Sequence, residues 1–190
     1  MKIFIVLTIF IGIFCWFGYS VYLLDQTSIY AENGPLENIQ VFTLISSCLV
    51  FLLPVLHQKR EDKLVLLFFS FLCFSFILRE IDVEHFDIPI FFKTIGSGIG
   101  RNIMLATGFI GMATYALLNI AYYKILTRVY LLSIEGILII MAGILLYIGD
   151  YFEHYKLIQH HVFLEEIFEL SGYVLILLAA LILSKNKLHT

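Results

Sequence analysis

The chain has 190 residues, 61% of them hydrophobic and only 14% charged, with a mean hydropathy of +0.94. A water-soluble domain carries about 45–50% apolar and about 25% charged residues because its surface must be solvated, so an ordinary soluble globule is excluded. Its 18 Phe and 11 Tyr beside only 12 Gly and 3 Pro also exclude a disordered or collagen-like chain, which leaves an all-α polytopic membrane protein built as one bundle.

A membrane-spanning helix needs about 20 mainly apolar residues. Taken in chain order, the sequence predicts six spans in a single transmembrane domain, at about 3–24, 36–56, 63–83, 103–123, 129–150 and 162–184. The first begins after Lys2 like a signal peptide, but its apolar stretch is too long and Gly18-Tyr19-Ser20 is a poor cleavage site. The second opens with Pro35, suited to a first helical turn, and with Glu37 near the positive end of the helix dipole. The loop before the fourth span combines an interfacial stretch around Phe91 with Gly96, Gly98, Gly100 and Arg101, a pattern able to offer backbone amides to a lipid phosphate. The cysteines Cys15, Cys48 and Cys73 lie in apolar runs, and their spacing suits no thiol–disulfide exchange; burial is expected for them.

Orientation follows from the basic residues of the short loops. Lys2, Lys59, Arg60, Lys63, Lys124, Arg128, Lys185 and Lys187 fall on one side, and Arg79, Lys93, Arg101 and Lys156 on the other. Both termini are therefore expected in the cytoplasm of an inner (plasma) membrane protein. Acids partition the opposite way: Glu61 and Asp62 face in, Glu135 falls within the fifth span, and the other twelve of the 15 gather at the outer end. The inner face sums to +6 and the outer face to −8, which with Glu135 gives the formal net charge of −3.

Part of that outer charge enters the membrane. The charge-free runs 64–78 and 170–183 cover only about 21–23 Å of a hydrocarbon core about 30 Å thick. Both helices must extend outward, and the next residues there are Arg79, Glu80, Asp82, Glu84 and His85 on one, and His160 to Glu169 on the other. His161, Glu165 and Glu169 recur every four residues and share a face, with Glu166 three residues from Glu169. Asp150 and His154 end the fifth span in the same leaflet. A carboxylate at bilayer depth is costly unless paired, protonated or metal-bound, and Arg79 alone cannot neutralise Glu80, Glu165, Glu166 and Glu169.

These residues predict an outward-facing carboxylate/imidazole pocket binding a divalent cation, Zn or Mn by its mixed ligands, or protons. The expected ligands are Glu80, His161, Glu165, Glu166, Glu169 and His154, with Arg79 as counter-charge and Glu37, Asp82, Asp150 and Glu135 in a second tier. The role would be transport, sensing or accessory. Two alternatives stay open. One is a metal-dependent or acid/base hydrolase or transferase acting on a lipid or lipid-linked substrate, with Glu80, Glu166 and Glu169 as catalytic candidates. The other is a membrane scaffold subunit whose ion pairs fix helix register. Expected partners are membrane lipids and another membrane protein or a second copy of the chain, not nucleic acid. Glu135 is expected about two turns into the fifth span, beside close helix approaches at Gly136, Gly143, Gly108 and Gly111.

Overall fold

The computed structural model describes residues 2–57, 60–81, 89–155 and 157–185. Among these the chain is all-helical, without a strand: α1 (Lys2–Tyr22), α2 (Pro35–His57), α3 (Lys63–Glu80), α4 (Ile90–Gly96), α5 (Gly98–Leu118), α6 (Ile120–Leu131), α7 (Ile134–His154) and α8 (His161–Leu183). Helix dominates because a backbone without water must satisfy its own polar groups. Four of these helices, α1, α2, α7 and α8, are long and apolar enough to cross a membrane, and a fifth span results if α5 and α6 count as one bent unit. The 18 residues of α3 include Lys63, Arg79 and Glu80 at its ends, so its apolar part is short, as its sequence predicts.

The outer surface is that of a membrane protein. Phe4, Ile9, Ile11 and Trp16 on α1, and Ile137, Ile140, Met141 and Ile144 on α7, are exposed. A soluble monomer does not carry apolar faces of that extent. Helix α8 stands at the centre, packed most extensively against α7, then α2, and more lightly against α1. Its residues Leu170, Tyr173, Ala179, Ala180 and Leu183 are fully buried. One core cluster joins α2, α3 and α8 through Leu44, Phe51, Cys73, Tyr173 and Ala180, and a second joins α1 to α8 through Phe17, Val21, Leu170 and Val174.

The helices differ from the predicted spans where local chemistry intervenes. The span expected at 103–123 is interrupted: α5 ends at Leu118, and α6 leaves at 108° to it. Asn119 makes the break, its side-chain amide donating to the Tyr115 carbonyl at 3.0 Å and competing with the helix for that acceptor. The loop expected around Lys124 and Arg128 is therefore helix α6. The next span starts at Ile134 rather than 129, because the Ser133 hydroxyl caps it, accepting from the Gly136 N–H at 3.1 Å. Glu135 thus lies in the first turn of α7, buried, and not two turns deep.

The glycines also redistribute. Gly111 and Gly143 have open space where a Cβ would stand, and Gly136 meets the Tyr130 carbonyl of its own connecting turn. Gly108 does seat an aromatic ring, Phe71 of α3. The tight α7–α8 seam rests instead on Gly149 and Gly172, whose Cβ atoms would lie 3.0 Å from Glu169 Cγ and 3.0 Å from Leu146 Cγ. Burial holds for Cys73, whereas Cys48 is half-buried against Ser70 and Cys15 is exposed on the outer face of α1.

At the basic end, Arg60 and Asp62 form a buried pair at 2.6 Å, and Arg60 also donates to the Leu183 carbonyl at 3.1 Å, closing the last turn of α8. At the acidic end, Tyr30 shares a 3.0 Å hydrogen bond with His160 Nδ1. Burial raises the pKa of this phenol, and the charge of Asp25 adds to that effect. His160 adopts a left-handed conformation with φ 55° immediately before α8.

Candidate functional site

The acidic end of α8 meets the ends of α2 and α3. Because α3 and α8 run in opposite directions, the charged tail of one reaches the charged head of the other. Arg79 Nη2 donates to Glu80 Oε1 at 2.8 Å, to Glu169 Oε1 at 2.6 Å and to the Tyr173 hydroxyl at 2.9 Å. The Tyr173 hydroxyl in turn donates to Glu80 Oε1 at 2.7 Å. Glu169 and Tyr173, four residues apart on α8, therefore grip α3 as one face. The carboxyl side chains of Glu80 and Glu169 are 9% exposed, while the Arg79 side chain is 48% exposed, so the guanidinium is open to the surface and its partners are not.

Beside this network Glu166 is held by Gln40 of α2. Gln40 Nε2 donates to Glu166 Oε2 at 2.7 Å and to the Glu166 carbonyl at 2.9 Å. Gln40 is fully buried, and its Oε1 has no hydrogen-bond partner among the described residues. Sequence reasoning passed over Gln40. The signal was its position one turn after Glu37, on the helix face that carries Leu36, Thr43, Leu44 and Ser47 into the core.

The carboxylates form one electrostatic group. Glu165, Glu166 and Glu169 act on each other, Glu80 acts on all three and on Glu37, and Glu153 of α7 reaches Glu165 and Glu169. Among the described residues neither Glu165 nor Glu166 forms an ion pair. Gly149 makes the approach of α7 possible, since a side chain there would meet the Glu165 carbonyl at 3.2 Å. On the exposed side, Asp150, Glu153 and His154 bring one ligand atom each to within 4.8 Å of one another, while His154 Nδ1 shares a 2.9 Å hydrogen bond with the Asp150 carbonyl.

The predicted ligand set is thus divided. Glu80, Glu169 and Arg79 come together, Glu165 and Glu166 adjoin them, and His154 with Asp150 belongs to the separate exposed group. His161 is half-buried at the start of α8 and makes no side-chain hydrogen bond among the described residues. Glu37 accepts from the Asn33 N–H at 2.6 Å and lines a polar cavity of about 400 Å³ with Glu32, Glu80, Arg79 and Arg101. Glu135 lies at the opposite end of α7, and Asp82, Glu84 and His85 are outside the described residues. Arg101 Nη1 donates to the Leu78 carbonyl at 2.9 Å, and Gly98 and Gly100 serve the sharp turn from α4 into α5.

No family model, no curated protein and no solved structure matches this chain.

Proposed function

We propose that the protein is a multi-pass inner-membrane protein that binds a divalent cation at the outward-facing acidic end of its bundle, between α2, α3 and α8. In this reading α3 is a further crossing, the bent α5–α6 unit another, and both termini are cytoplasmic. The observation that carries the proposal is an excess of acceptors at half-buried and buried positions. Five carboxylates (Glu37, Glu80, Glu165, Glu166 and Glu169) gather where only Arg79 and, at the edge of the Glu37–Glu80 cavity, Arg101 supply guanidinium charge, and Gln40 Oε1 has no donor among the described residues. A buried acceptor left without a partner costs about 1–3 kcal/mol, and neighbouring carboxylates repel one another, so a cation there is favoured twice. The inner donors are all oxygen, which suits Mn²⁺ over Zn²⁺; the exposed Asp150–Glu153–His154 group would be an outer station with an imidazole donor.

The test is Mn²⁺ binding to the purified protein in detergent, followed by the loss of the free-ion paramagnetic resonance signal. Binding should fall at least ten-fold in Glu166→Gln and in Gln40→Leu, and much less in a combined Asp150→Asn/His154→Ala variant. Loss of binding only in the last variant would move the site to the exposed group and refute the inner one.

One observation favours the scaffold reading instead. Arg79, Glu80, Glu169 and Tyr173 already satisfy one another, which is how a structural interhelical ion pair is built. If wild-type protein binds no Mn²⁺ or Zn²⁺ while Glu169→Gln loses its fold, this second reading stands and the first falls.

A further inference from the structure

A second cavity lies at the other end of the molecule, away from every carboxylate of the candidate site. It measures about 470 Å³ and is walled by α3, α5, α6 and α7. Pockets that hold small ligands have about 300–1,000 Å³ and a mainly apolar, aromatic lining with few polar groups. Phe68 and Phe69 of α3, Phe109 and Met112 of α5 and Ile139 and Ile140 of α7 supply that lining here. The sharp bend at Asn119 creates the space: α6 leaves α5 at 108° and roofs the cavity instead of continuing down its side.

The polar character is confined to α6. Tyr123, Thr127 and Tyr130 line the cavity at spacings of four and three residues, along one face of the helix. Their hydroxyls make no hydrogen bond among the described residues, whereas Thr107 and Thr114 on α5 donate to the preceding turn at 2.7 and 2.8 Å. The next stripe of the same helix carries Lys124 and Arg128, both exposed, and Lys63 adjoins the lining residue Leu64. The acids at this end are fewer: Asp62, bound to Arg60, Glu61, and the buried Glu135 near Tyr130. An apolar chamber is therefore lined by three hydroxyls without a hydrogen-bond partner among the described residues, on a helix that exposes Lys124 and Arg128 one position beyond two of them. That matches a molecule with a long hydrocarbon tail, oxygen acceptors at its neck and a negative head.

We infer that this cavity holds one acyl chain of an anionic phospholipid, with its ester and phosphate oxygens at Tyr123, Thr127, Lys124 and Arg128. The inference is independent of the cation site, which lies at the opposite ends of α3 and α7. Helix α6, the second limb of the bent α5–α6 unit, then lies along the interface and clamps the lipid against the bundle.

The test uses the full-length protein, extracted in mild detergent from vesicles of equal phosphatidylglycerol and phosphatidylcholine and weighed intact by native mass spectrometry. One retained phospholipid per chain is expected, with phosphatidylglycerol favoured about ten-fold. Ala113→Phe and Ala116→Phe, each filling the cavity from α5, should reduce retention by at least about five-fold with helicity unchanged. The Lys124→Gln/Arg128→Gln pair should erase the headgroup preference. Retention that ignores both filling variants, or wild-type protein that holds the two lipids equally, overturns the inference. As a measurement free of folding effects, Phe109→Trp in a Trp16→Phe background should be quenched more strongly by brominated-chain phosphatidylglycerol than by its phosphatidylcholine counterpart; equal quenching also overturns it.

Discussion

Tyr173→Phe isolates the bond network of the acidic end with little change of shape. The residue is fully buried, and its ring packs against Phe76 at 5.7 Å between centroids, a contact that phenylalanine keeps. What is lost is one hydroxyl that donates to Glu80 at 2.7 Å and accepts from Arg79 at 2.9 Å. In water each hydrogen bond to a charged group contributes about 1.5–3 kcal/mol, whereas interhelical bonds within membranes average about 0.6 and reach about 1.7 kcal/mol. Arg79 retains Glu80 and Glu169, and Glu80 retains Arg79, so neither charge is stranded and the lower range applies. Two bonds midway between that average and that limit give a loss of about 2 kcal/mol. The assay is reversible unfolding in mixed micelles with rising dodecyl sulfate, followed by helical circular dichroism. Tyr147→Phe, on an exposed face of α7, is the control. A loss below about 0.5 kcal/mol, equal to the control, would show that the network does not tie α3 to α8 and would refute the reasoning.

Three more outcomes follow from named contacts. Gly172→Ala should cost about 1–3 kcal/mol by overpacking against Leu146 Cγ at 3.0 Å, and Leu146→Ala in the same chain should return only part of it, because the Ala142 carbonyl at 3.2 Å cannot withdraw; unfolding in mixed micelles measures both. Arg60→Gln strands Asp62 in a buried site and should cost about 3–5 kcal/mol, whereas Arg60→Gln/Asp62→Asn should cost clearly less in the same assay. In a cysteine-free background, Glu153→Cys should react with an impermeant maleimide added outside cells and Lys59→Cys should not; the reverse result would invert the topology.

Much of the site's composition was legible in the sequence because charge is scarce in a chain that is 14% charged. A carboxylate in an apolar run has few ways to be tolerated, so Arg79, Glu80 and Glu169 identify one another before any contact is seen. Tyr173 and Gln40 did not stand out, since a buried tyrosine or glutamine has no periodic signature apart from the core face it occupies. At His161 the shared helical stripe fixes direction along α8, while the neighbouring helices decide which part of that stripe meets a partner. The grouping of His154 with Asp150 and Glu153 within a single turn was readable from spacing, while its separation from Glu169 was not.

By itself the sequence determined that this is an apolar helical protein of the membrane, with one acidic and one basic end, because the bilayer penalises each buried charge and unsatisfied peptide group individually. Only the tertiary structure decided that Arg79 closes on Glu80, Glu169 and Tyr173, that Gly149 and Gly172 bring α7 onto α8, and that the chain turns by 108° at Asn119. Those features depend on which faces of antiparallel helices meet, and at what distance. Hydropathy sets the length and depth of a helix but leaves its rotation to the side chains that pack against it.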